Sequence, residues 1–90
     1  MYAAKALIQN KTGLHARPAS IFVAEAGKYL SNIQIRRVGE ENTANAKSIV
    51  MLMSLALEMG TEVEIIAEGE DEIEAVTGLV QLINSKFGED

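Results

Sequence analysis

The run Thr12-Gly13-Leu14-His15-Ala16-Arg17-Pro18-Ala19 brings together the chain's only histidine, its only proline and an arginine. Proline is tolerated in the first turn of a helix, where its missing N–H would go unpaired anyway, so Pro18 sets His15 at or just before a helix N-terminus. Gly13 lets the incoming backbone turn sharply. Unpaired N–H groups and the positive end of a helix dipole meet at such a place, which makes it an anion site. Arg17 adds a permanent charge and planar donors suited to phosphate oxygens. In that setting a ring nitrogen can act as nucleophile towards a phosphoryl group while the donors stabilise its charge. A plainer reading stands beside this one: a histidine near a helix start is often a solvated polar side chain or a weak cap.

Other chemistries have less to work with. One histidine and no cysteine leave only carboxylates to complete a metal site, so neither metal nor cofactor is expected. The same absence removes thiol nucleophiles and disulfides. No serine sits in a nucleophile-elbow pattern, and neither Gly-x-Gly-x-x-Gly nor a phosphate-binding loop is present. A net charge of −5 without a Lys or Arg stripe argues against nucleic acid. No stretch approaches the roughly 20 apolar residues of a membrane span, and the first ten lack a signal-peptide pattern. The expectation is a cytoplasmic protein with no membrane insertion, in which the Asn10-Lys11-Thr12 sequon is chance.

A second informative segment is Asn45-Ala46-Lys47-Ser48-Ile49-Val50-Met51-Leu52-Met53-Ser54-Leu55-Ala56-Leu57-Glu58. Its pattern predicts a helix over 48–58 that is apolar nearly all round, stopping at Gly60. A helix laid on a sheet should be polar on its outer face. This one is therefore deeply packed, forms a subunit contact, or displays an apolar patch to partners, and methionines adapt to several partners. Ser48 stands at the helix start and reads most simply as its N-cap.

These segments need a scaffold. Ninety residues make one domain, 1–90, with a core too modest to enclose a deep substrate cavity. With hydrophobic residues at 48% and aromatics at 4%, that core must be aliphatic. Ala4 to Ile8 predicts a first strand. Ala19, Phe22, Val23, Ala26 and Leu30 recur at helical spacing and predict a helix over 16–30. Ile33 and Ile35 alternate with Gln34 and Arg36, a half-buried strand, followed by a turn and a short strand near Thr43 and Ala44. Val63, Ile65 and Ala67 face one way on a last strand whose other side shows Glu62, Glu64 and Glu68. Ile73, Val76, Val80 and Ile83 mark a final helix with acidic residues favouring its N-terminal end. The order β-α-β-β-α-β-α, with strands polar on one face, implies an α+β fold with an antiparallel sheet covered by helices on one side.

Together, Gly13-Leu14-His15-Ala16-Arg17-Pro18-Ala19 and the later Asn45-Ala46-Lys47-Ser48-Ile49 and Met53-Ser54-Leu55 closely resemble the HPr family. Its members are the histidine-containing phosphocarriers of the bacterial phosphoenolpyruvate-dependent sugar phosphotransferase system, and the resemblance spans essentially the whole chain. It implies an open-faced β-sandwich, a four-stranded antiparallel sheet overlaid by three helices. It implies that His15 accepts phosphate from phosphorylated enzyme I, which draws it from phosphoenolpyruvate, and passes it to a sugar-specific enzyme IIA. Arg17 would stabilise the phosphoryl group with help from the amides of Ala16 and Arg17. Ser48 matches a regulatory serine phosphorylated by an HPr kinase/phosphorylase, and Ile49, Val50 and Met53 match a partner-docking patch. The carrier would be a monomer, consumed and regenerated by its partners rather than an independent enzyme.

The resemblance also implies a regulatory alternative, because some relatives act mainly as serine-phosphorylated coeffectors of a catabolite-control transcription factor. Those relatives typically lack the histidine, so His15 and Arg17 disfavour regulation as the only role. Three departures bear on partner choice and kinase recognition. Glu40-Glu41-Asn42-Thr43 makes a slightly longer loop than usual, Met51 replaces a common glycine, and Gly27 replaces a larger polar residue in the first helix. If interior, that glycine destabilises the helix by roughly 0.5–1 kcal/mol relative to alanine.

Overall fold

Alternation in Glu62–Glu68 organises the molecule: Val63, Ile65 and Ala67 are fully buried, while Glu62 and Glu68 face solvent. The computed structural model describes residues 1–89. In chain order the elements are β1 (Tyr2–Leu7), α1 (Ala16–Ala26), β2 (Asn32–Arg37), β3 (Thr43–Asn45), α2 (Ile49–Ser54), β4 (Glu62–Glu68) and α3 (Glu72–Asn84). A 3-10 turn at Lys86–Gly88 follows, which the sequence pattern does not announce.

The sheet order is β1-β4-β2-β3 and every pair is antiparallel. The last strand thus slots between the first two, Val63 pairing with Ala6 on one side and Arg37 on the other. One face carries the helices, with Phe22 of α1, Leu52 of α2, and Val76, Leu79 and Ile83 of α3 fully buried in a single core cluster. Burying each such side chain contributes about 1.5–3 kcal/mol. The opposite face carries a charged row at its centre, in which Glu64 lies opposite both Lys5 and Arg36 and pairs with Arg36 at 2.6 Å. This is the α+β arrangement, an antiparallel sheet covered by helices on one side, that the strand patterning implies, and the open-faced sandwich that the resemblance implies.

Two helix ends and one helix face differ from what the sequence pattern predicts. The first helix ends at Ala26, with Gly27 as its C-cap, so the interior-glycine penalty does not arise. Leu30 leaves the helical face and is 79% exposed. The reason is Asp71, whose carboxylate accepts the N–H of Leu30 at 2.8 Å, the N–H of Ser31 at 3.0 Å and the Ser31 hydroxyl at 2.5 Å. That anchor pulls the chain out of the helix towards the start of α3.

The second helix is also shorter, ending at Ser54 rather than at 58. Ala56 adopts a left-handed φ of 51° and Leu57 folds into the core instead of extending the helix. Gly60, with φ 92°, serves the following turn and donates its N–H to Ile8 O at 2.7 Å. On α3, Ile73 is more exposed than expected, since the buried stripe runs through Ala75, Val76, Leu79 and Ile83.

Candidate functional site

The segment before α1 is held by backbone contacts that leave the His15 ring aside. Gly13 has φ 67° and presses against the end of the α2 segment, where an added Cβ would lie 2.5 Å from Leu57 O. Glycine is required there on two grounds, conformation and space. The next residue, fully buried Leu14, donates its N–H to Leu57 O at 2.8 Å. Asn10 braces the turn by donating from Nδ2 to Gly13 O at 2.8 Å.

His15 then occupies the N-cap of α1 in extended conformation, half-buried, and its side chain makes no capping hydrogen bond. A serine or aspartate at that position would normally accept a first-turn N–H. Here the N–H groups of Ala16 and Arg17 lie in the first turn, ahead of any carbonyl that could take them, and neither makes a turn or inter-element bond among the described residues. Pro18 has no N–H to offer, and Ala19 donates to His15 O at a long 3.5 Å. Ala16 has φ 50°, a left-handed conformation that costs a non-glycine residue about 1–3 kcal/mol and is typical of functional sites. Arg17 is exposed and in no ion pair among the described residues. Imidazole, first-turn donors and guanidinium thus share one corner of the surface, and that corner has the chemistry to hold a phosphoryl group.

Beside it lies a cleft of about 370 Å³ lined by Arg17, Pro18, Ile21, Phe87, Gly88 and Glu89. The sequence reading misses this wall. Left-handed backbone at Lys86, Phe87 and Gly88 turns the chain end back over α1, with Phe87 buried and Glu89 Oε2 accepting the Thr12 hydroxyl at 2.9 Å. The available signal was Phe87 itself, an aromatic side chain beyond the last helical stripe in a chain with few aromatics.

Ser48 is the N-cap of α2 and its hydroxyl oxygen accepts the Met51 N–H at 3.2 Å. Of the residues singled out after it, Ile49 is half-buried while Val50, at 76%, and Met53 are exposed. Met51 and Met59 are exposed too, whereas Leu52 is buried. The helix therefore displays an apolar patch instead of being fully packed, and α1 and α2 lie against each other. The Leu14–Leu57 bond joins the His15 segment to the loop just past the far end of α2. Ser48 stands at the near end, across six helical residues that span about 9 Å.

A family model described as "PTS HPr component phosphorylation site" matches residues 2–85. The phosphocarrier protein HPr of Pseudomonas aeruginosa is 44% identical over 89 residues, covering 99% of this chain and 98% of its own. The HPr-like protein Crh of Bacillus subtilis is 45% identical over 86 residues, covering 96% and 99%. A crystal structure of HPr from Thermoanaerobacter tengcongensis superposes with a TM-score of 0.94 at 49% identity, covering 100% of this chain and 99% of the other. A second structure from that organism, described as an HPr dimer, gives a TM-score of 0.78 at 49% identity, covering 99% and 100%.

Proposed function

The chain belongs to the HPr family of phosphocarriers, and from that membership we infer that His15 accepts a phosphoryl group from phosphorylated enzyme I and delivers it to a sugar-specific enzyme IIA. The observation that carries this reading is a half-exposed imidazole at a helix N-cap that it does not cap. The lone pair of a ring nitrogen attacks phosphorus, the bond to the donor breaks, and a P–N bond forms on His15. The amides of Ala16 and Arg17 and the Arg17 guanidinium take up the charge on the phosphoryl oxygens. The next acceptor reverses the step, so the chain is a transfer intermediate and turns over no substrate of its own. Partners dock on Ile49, Val50 and Met53. The 1–90 chain acts as one domain, in the cytoplasm.

Incubation with enzyme I and phosphoenolpyruvate is expected to add one acid-labile phosphate, and His15→Ala to abolish it. Phosphate persisting on the alanine variant would overturn the assignment.

Likeness to Crh supports a second role, regulation through Ser48 by an HPr kinase/phosphorylase and a catabolite-control transcription factor. A phosphoserine adds about −1.5 to −2 charge beside Ile49 and Val50, which weakens apolar docking and offers a site to a basic partner. Acid-stable phosphate appearing with kinase and ATP, and lost in Ser48→Ala, is the expected result. The sequence implies a monomer, but relatives described as dimers, HPr of Thermoanaerobacter tengcongensis and Crh of Bacillus subtilis, do not fit that expectation. Sedimentation at low concentration tests this, and a dimer that persists on dilution would overturn it.

A further inference from the structure

Arg37 ends β2, well away in sequence from both His15 and the docking patch. Its Nη2 donates to Leu55 O and to Ala56 O, each at 3.1 Å. These carbonyls close the C-terminal end of α2, where no helical N–H is available to them. One guanidinium nitrogen, with its two N–H bonds, serves both carbonyls. Immediately afterwards the chain reverses at Ala56, and buried Leu57 turns its carbonyl to the Leu14 N–H at 2.8 Å. Gly13 is pressed on the same strip, with room for no Cβ between it and Leu57 O or Glu58 Cα. His15 is the next residue after Leu14. A path of hydrogen bonds and chain bonds therefore runs from Arg37 through Leu55, Ala56, Leu57 and Leu14 to the His15 backbone, along the end of the helix that carries Met51 and Met53.

We propose that Arg37 is a positioning residue for phosphoryl transfer, clamping the end of α2 so that the His15 segment and the apolar patch keep one fixed relation. The proposal rests on the phosphocarrier reading. A docked partner meets the patch and the imidazole at once, so their relative placement sets how often a bound complex is reactive. The further contact of Arg37 Nη1 with Glu40 Oε1, at 3.4 Å and exposed, contributes little. The two carbonyls carry the effect.

Arg37→Met keeps the apolar stem and removes the donors. Amide exchange at Leu14 is expected to quicken about tenfold. The kcat for phosphorylation by enzyme I should fall about fivefold while KM stays within about twofold, because the patch is untouched. Arg37→Lys should recover part of both losses. A lower melting temperature with wild-type Leu14 exchange and kcat would make Arg37 a stabilising residue only and overturn the proposal, as would a loss confined to KM. Should Arg37→Met fail to fold, Arg37→Leu, which likewise has no donor, gives the same two readings, and wild-type values there overturn it equally. Wild-type protein that takes no phosphate would sink the phosphocarrier reading instead, and Leu14 exchange would still show whether Arg37 holds the segment.

Discussion

Two helix starts in this small fold use opposite chemistry. At α2 the Ser48 hydroxyl oxygen accepts the Met51 N–H, and the turn is locally satisfied. At α1 the side chain in the same position, His15, accepts nothing, Ala16 sits in a strained left-handed conformation, and Pro18 contributes no donor. A satisfied start stabilises the helix it opens. An unsatisfied one keeps its donors for an incoming anion, and the stability forgone must be supplied by contacts elsewhere. Gly13 and Leu14 supply it here, through their tight seat on Leu57.

The most severe way to break that contrast is Gly13→Ala, which forces a side chain into a left-handed position already filled by Leu57 O. Denaturant unfolding should show a loss of more than about 2 kcal/mol. Next is Arg17→Ala, expected to slow phosphoryl acceptance about tenfold without lowering the melting temperature, because Arg17 is exposed. Ser48→Ala should remove about 1 kcal/mol of stability and leave His15 phosphorylation intact. An equal loss of transfer in that variant would erase the distinction between the two starts.

The smallest expected effect concerns α3, whose N-cap residue Asp71 gives its carboxylate to the neighbouring loop instead of its own helix. The Ser31 hydroxyl, followed by the N–H of Leu30, holds that carboxyl below its ordinary value of 3.8. Glu72 is lowered as well, mainly by the Gly69 N–H. Depressed folded values mean that this stabilisation is complete above the unfolded carboxylate range and is lost as pH falls through the folded one. Melting temperature should therefore decline on acidification below about pH 4, and Asp71→Asn should flatten the decline.

Much of the site was legible because its cues are local. Pro18 marks a first turn whatever the rest of the chain does, and Ser48 followed by an apolar run marks another. The ends of α1 and α2 were not, since periodicity counts apolar residues without knowing what they touch. Leu30 fits the α1 stripe yet is drawn away by Asp71, forty residues and more along the chain. Leu57 extends the α2 run yet reaches the core only by leaving the helix at Ala56.

The amino-acid order alone therefore settles where the helices begin, which faces of the strands are apolar, and that one histidine stands among potential donors, because each follows from residues within a turn or two of one another. The packed chain alone settles that the α2 patch is exposed, that Leu57 anchors the His15 segment, that Arg37 braces Leu55 and Ala56, and that Glu89 reaches Thr12. Those contacts join residues far apart in sequence, and a contact of that kind exists only once the path of the backbone between them has been laid down.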